Sequence, residues 1–129
     1  MRVQSFRELV VWQRAIELTV AVFSLTKMLP KDELFGLTSQ IRRESVSIPS
    51  NIAEGQGRGT RNDFRYFLTI ARGSNAEVQT QLVLIRRLKL APEEVILECE
   101  RLSLEVARML NGLMSTLKQA VAESGALRG

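Results

Sequence analysis

Apolar residues recur along almost the whole chain at the three-and-four spacing of an α-helix, and no segment sustains the period-two alternation of a strand. The pattern is interrupted at three places: Met28 to Asp32 around Pro30, the run Gly55-Gln56-Gly57-Arg58-Gly59, and Leu90-Ala91-Pro92. Four segments remain, each of about 20 residues or more, several times the length of a typical strand. Long helices joined by short connections settle beside each other in opposite directions. The pattern therefore predicts an all-α fold, an antiparallel up-down-up-down four-helix bundle.

The first segment opens on Ser5 with Glu8 three residues later, a capping-box spacing. It carries two apolar stripes. Leu9, Trp12, Ile16, Val20 and Phe23 are expected to face the core, which leaves Val11, Ala15, Leu18, Val22 and Leu25 as a surplus stripe. The second helix is expected from Asp32, burying Leu34, Leu37, Ile41, Ile48 and Ile52. Pro49 lies inside it, removes the N–H that would bond the Ser45 carbonyl, and predicts a kink between Val46 and Ser50. The third helix is expected from Thr60, with Asp63 in its first turn, to about Leu88. At about 100° per residue from Arg61, the residues Phe64, Phe67, Ala71, Val78, Leu82 and Ile85 gather near 270°. Tyr66, Ile70, Leu84 and Leu88 fall at about 140 to 180°, so the apolar arc is about twice the usual width. The fourth helix starts after Pro92 with Glu93 and Glu94 at its positive end, buries Val95, Cys99, Leu102, Val106, Met109, Leu113 and Leu117, and is expected to fray from Glu123. One bundle cannot cover this much apolar surface, and side-by-side assembly into a ring-like oligomer follows as an expectation.

A chain of 129 residues, 45% hydrophobic and 25% charged, suits a single folded domain spanning 1–129. It has no histidine and one cysteine, which removes Ser-His-Asp and Cys-His nucleophile systems, the usual zinc sites and any disulfide framework. No catalytic residue, metal or cofactor is expected. The start Met1-Arg2-Val3-Gln4-Ser5 lacks the pattern of a secretory signal. The most apolar run, Leu18 to Thr26, falls well short of the roughly 20 residues that cross a bilayer. The expected location is the cytoplasm, with no membrane partner.

Charge is unevenly placed. The net +4 arises from residues 42–89, which hold nine basic against four acidic residues, and fourteen of the eighteen basic residues are arginine. On the third helix Arg61, Arg65, Arg72 and Arg86 fall within about 60° of one another, a stripe about 37 Å long. Arg58 before it, and Arg87 and Lys89 beyond it, extend the line, and Arg42 and Arg43 add to it from the second helix. The stripe suits a phosphate backbone and equally a solvated or salt-bridged helix flank. The glycine run fits a turn and helix cap better than a phosphate loop, since no strand precedes it and no Walker lysine follows. Arg42-Arg43-Glu44 with Asn51 and Glu54, and Ser74, Glu77 and Gln81 on the third helix, read as polar contacts that set helix register or an interface. Catalysis by acids and bases needs paired carboxylates, and sequence alone does not pair any.

Phe6, Leu9 and Trp12, then Gln40-Ile41-Arg42-Arg43, then Ser47-Ile48-Pro49-Ser50-Asn51-Ile52-Ala53-Glu54-Gly55, and then Arg58, Phe64, Phe67, Leu68, Ala71, Ser74, Glu77 and Gln81 form one set. Over about residues 5 to 90 it resembles the bacterial four-helix bundle proteins encoded by intervening sequences in large-subunit ribosomal RNA genes. The fourth helix matches by pattern alone. The resemblance implies a homopentameric barrel with a basic surface and no enzymatic activity. It also implies a distant relation to the accessory protein of diversity-generating retroelements, a basic pentamer that binds nucleic acid and its reverse transcriptase. Together these readings lead to a non-enzymatic homo-oligomer, a pentamer by preference. It is expected to bind structured RNA or DNA through Arg42, Arg43, Arg58, Arg61, Arg65, Arg72, Arg86, Arg87 and Lys89. The competing expectation is a scaffold for a protein partner, with its arginines spent on salt bridges between subunits.

Overall fold

The computed structural model describes residues 5–128, so Met1 to Gln4 and Gly129, which enter the readings of the chain start and tail, lie outside the described residues. Four long helices carry the chain: α1 (Val10–Thr26), α2 (Ser39–Gly57), α3 (Arg61–Arg87) and α4 (Glu93–Arg128). Among the described residues there is no strand. α1 packs on α2 and α4, and α3 packs on α2 and α4, so the four close into a bundle around one apolar core. No described helix is long and apolar enough to cross a membrane.

Local chemistry sets where each helix begins. Ser5 does cap, accepting from the Arg7 N–H at 3.2 Å, but it caps a three-residue 3-10 turn, Phe6–Glu8. Leu9, extended, then stands before α1. α2 likewise begins later than Asp32, because a 3-10 turn (Lys31–Glu33) and a wide turn (Leu34–Thr38) come first. Gly36 in that turn has φ −108° and ψ −111°, outside the helical region. This takes Leu34 out of line with Ile41, and Leu34 is exposed, contrary to the expectation that it is buried. Thr60 caps α3 as expected, its Oγ1 accepting from the Asp63 N–H at 3.1 Å, after Gly59 turns the chain at φ +88°. At the other end Lys89 takes a left-handed φ of 57°, and the Leu90 N–H folds back on the Ile85 carbonyl at 3.0 Å. That is a Schellman stop made with lysine where glycine is usual. α4 runs helical to Arg128, beyond the expected fraying point at Glu123; strong helix formers such as Ala120, Ala122 and Ala126 favour its continuation.

Helix α2 passes through Pro49 unbroken. The Ser45 carbonyl, deprived of the Pro49 N–H, accepts instead from Thr19 Oγ1 on α1 at 2.9 Å. An orphaned backbone acceptor thereby becomes an inter-helix tie.

The core corrects the assignment of α1. Val11, Ala15, Leu18, Val22 and Leu25 are buried, whereas Ile16 and Val20 are exposed at 37% and 62%, and Leu9, Trp12 and Phe23 are half-buried. Polar ties on either side of the inner stripe hold this rotation: Arg14 Nε donates to Glu105 of α4 at 2.7 Å, and Thr19 reaches α2. The inner stripe is also the slimmer one, which lets α1 settle closely on its neighbours. On α3 and α4 the expected faces hold in part: Ala71, Val78, Leu82, Ile85, Cys99, Leu102 and Val106 are buried, whereas Phe64, Phe67, Val95, Met109, Leu113 and Leu117 are half-buried. Burial pushes the Cys99 thiol up to about 11, which leaves it a small core residue with no thiolate to offer. Between α3 and α4, buried Asn75 and Ser103 satisfy each other: Asn75 Nδ2 donates to the Ser103 carbonyl at 3.0 Å, and Ser103 Oγ donates to Asn75 Oδ1 at 2.7 Å.

α2 and α3 pack tightly against each other at Gly55. A Cβ added there would stand 2.7 Å from Phe67 Cβ and 3.3 Å from the Phe64 carbonyl oxygen. Backbone-bound atoms cannot swing aside. Gly55→Ala is therefore expected to lower the unfolding free energy by about 1–3 kcal/mol by overpacking, in spite of alanine's better helix propensity. Urea unfolding checks this, and a stabilised variant contradicts it.

Candidate nucleic-acid interface

The nine basic positions expected to act together occupy different faces. Arg42 is half-buried on the α1–α2 seam, where its Nε donates to Thr26 Oγ1 at 2.8 Å and its guanidinium stacks 5.1 Å from the Phe23 ring centroid. It ties two helices. Arg43 is exposed and reaches Ser39 Oγ on its own helix at 3.4 Å. Arg58, in the α2–α3 turn, pairs with Glu54 at 2.6 Å and stacks on Phe67. The glycine run around it ends one helix and turns into the next, as the spacing suggested.

The α3 stripe divides in two. At its C-terminal end Arg86 is fully engaged: Nη1 and Nη2 donate to the two oxygens of Glu100 at 2.5 and 2.6 Å, and Nε donates to Glu93 at 2.9 Å. These hydrogen bonds raise the guanidinium above its already high pKa and hold Glu100 below the usual carboxylate value. A fork closed on two carboxylates has no donor geometry left for a phosphate. Arg86 is thus a tie between α3 and α4. Arg87 and Lys89 lie exposed just beyond it, with no acidic partner among the described residues.

Toward the N-terminal end of α3 the arginines are uncompensated. Arg61 is exposed and Arg65 half-buried, and neither meets a carboxylate among the described residues. The Arg65 Nε is buried without a hydrogen-bond partner. Arg72 reaches only a neutral group, its Nη1 donating to Asn111 Oδ1 of α4 at 3.3 Å. Lys118 stands two turns beyond Asn111 on the same flank of α4, exposed, and adds a fourth cation that sequence reading missed. No spacing within either helix could have found it, since only the α3–α4 pairing brings it to this side. Two other arginines stand in contrast. Arg14 is held by Glu17 and Glu105, and Arg101 by Glu98 and Glu105. The ion pairs of α4 are made by Glu93, Glu98, Glu100 and Glu105, and among the described residues none of these four reaches Arg61, Arg65 or Arg72.

Glu100 lies below the usual 4.5 because Arg86 bonds its ionised form, and Glu98 does so because of Arg101. A carboxylate depressed in the fold contributes stability above its unfolded value and loses it as pH falls through the folded one. Thermal stability is expected to drop from about pH 4.5 downward, and less steeply in Glu100→Gln. Melting curves at stepped pH check this, and identical pH profiles for the two proteins contradict it.

Among the described residues no group of three or more His, Cys, Asp or Glu is placed to hold a metal. The sequence profile described as 23S rRNA-intervening sequence protein matches residues 7–112. Among solved structures, the chain is similar to a protein of unknown function from the S23 ribosomal protein family of Bacteroides thetaiotaomicron, with 28% identity over 82% of this chain and 96% of that one, and a TM-score of 0.75. No curated protein matches the chain.

Proposed function

The chain belongs to the 23S rRNA-intervening sequence protein family, and within that family we propose that it is a cytoplasmic, non-enzymatic homo-oligomer, a pentamer by preference, that binds the phosphate backbone of structured RNA or DNA. Arg61, Arg65 and Arg72 form the centre of the contact, Lys118 joins from α4, and Arg58 flanks them. Arg87 and Lys89 make a second contact farther along α3, about 22 Å beyond Arg72. The observation that carries the reading is the split stripe. Three guanidiniums on one flank stand without carboxylates among the described residues, one with a buried unpartnered Nε, while Arg86 at the far end of the same stripe is fully paired. An arginine fork keeps its donors in a geometry that fits phosphate oxygens. Exposed apolar side chains at Ile16 and Val20 on α1, and at Tyr66, Ile70, Leu84 and Leu88 on α3, support side-by-side assembly. Repetition of one basic patch around such an assembly turns weak contacts into useful affinity.

Fluorescence anisotropy of a labelled structured RNA and a labelled DNA duplex, titrated with the protein over a salt series, tests the reading. Binding that weakens linearly in log salt supports it. Absence of binding to both at low salt overturns it.

A further inference from the structure

The crest of α3, the side turned farthest from the core, carries Arg65, Thr69, Gly73, Ala76, Thr80 and Arg87, at about 40 to 120° on the wheel. Both threonines are exposed. Each spends its hydroxyl hydrogen on its own helix: Thr69 Oγ1 donates to the Arg65 carbonyl at 3.0 Å, and Thr80 Oγ1 donates to the Ala76 carbonyl at 2.9 Å. The two hydroxyls therefore turn the lone pairs of an acceptor outward. Among the described residues no donor reaches either oxygen. Between them the crest is low, since a Cβ added at Gly73 would meet nothing within 4 Å and Ala76 adds only a methyl group.

A guanidinium and an outward acceptor ask different things of a ligand. Arg65 and, beside the crest, Arg72 donate, and phosphate oxygens answer them. Those oxygens are acceptors and have nothing to give Thr69 or Thr80, and donating outward would cost each threonine its bond to the helix. A ribose 2′-hydroxyl, one sugar away from the phosphate, is a donor that deoxyribose lacks. Groove shape agrees. The minor groove of A-form RNA is wide and shallow and displays these hydroxyls, so a low helix crest can lie on it, whereas the B-DNA minor groove, about 6 Å wide, excludes a helix. We propose that the α3 crest binds double-stranded RNA in preference to DNA, lying across the minor groove, with Thr69 and Thr80 accepting from ribose 2′-hydroxyls while Arg65 and Arg72 hold the flanking phosphates. This rests on the nucleic-acid reading above and names which nucleic acid it concerns. The threonines stand about 16 Å apart along α3 and so meet different riboses.

Anisotropy titrations at matched salt with three duplexes of one sequence test the proposal: RNA, DNA, and RNA with 2′-fluorine in place of every 2′-hydroxyl, which keeps the A-form and the phosphates and loses the donor. The wild type is expected to bind RNA about tenfold more tightly than either of the others, as two hydrogen bonds of ordinary net strength supply. In a Thr69→Val/Thr80→Val variant that preference is expected to vanish, while the affinity for DNA and the salt slope stay, because no phosphate contact has been removed. Valine keeps the shape and nearly the helix propensity of threonine, and melting curves check the fold. The comparison of the three duplexes on the wild type decides by itself if the variant does not fold. RNA bound no more tightly than DNA or than the 2′-fluoro duplex overturns this proposal alone and leaves the arginine contacts standing, as does a preference for RNA that survives in the folded variant. Absence of binding to all three at low salt overturns the nucleic-acid reading and this proposal with it.

Discussion

Leu18→Ala is expected to destabilise the bundle by about 2–5 kcal/mol, while Val20→Ala, two residues along the same helix, costs less than about 0.5 kcal/mol. Leu18 is fully buried among residues of all four helices, so truncation removes both its transfer energy and the packing around the void it leaves. Val20 is exposed at 62% and has little to lose in the isolated bundle. Urea midpoints at an unchanged m-value report the difference. The reverse order would mean that α1 is rotated by roughly half a turn, with the Ile16 and Val20 stripe inward.

That pair of residues also shows what was legible in the sequence and what was not. Helix number, order and direction follow from periodicity, Pro30, the Gly55 to Gly59 run and Pro92, because these are local instructions that each segment carries by itself. The core faces of α3 and α4 were legible for the same reason. On α1 two apolar stripes compete, and the choice between them depends on partners in other segments: Glu105 for Arg14, and the Ser45 carbonyl for Thr19. No period within α1 contains that information. Gly36 shows a second limit, since a single backbone excursion there shifts α2 seven residues past its apparent cap at Asp32.

The candidate site follows the same division. The stripe of Arg61, Arg65, Arg72 and Arg86 could be read from the wheel, because it belongs to one helix. Which of these arginines keep a free charge could not, because the acids that neutralise Arg86 are supplied by Glu93 and Glu100. The same holds for Lys118, brought to the stripe from 46 residues beyond Arg72. Pairings between helices are tertiary facts.

Replacing Arg61, Arg65 and Arg72 together by alanine is expected to weaken nucleic-acid binding by about 100-fold at low salt, with little change in stability. Among the described residues none of the three meets a carboxylate, and Arg72 gives up only its bond to Asn111, so the folded state loses little. Removing the buried, unpartnered Nε of Arg65 even relieves an unsatisfied donor. Arg86→Ala is the contrast. It leaves Glu93 and Glu100 without their cation, and is expected to lower the melting temperature while changing affinity far less than the triple variant does.

The central claim is that phosphates are held by the free end of the α3 stripe, and the salt dependence of binding measures it most directly. For a duplex, the slope of log affinity against log salt becomes shallower by about 0.9 for each phosphate that the protein no longer neutralises. Anisotropy titrations of one labelled duplex against the wild type and the triple variant, at matched solution mass, are expected to differ in slope by about 2.7 for each bound chain that engages all three arginines. Equal slopes and equal affinities, with the assembled mass unchanged, would contradict the account and leave Arg61, Arg65 and Arg72 a solvated helix flank.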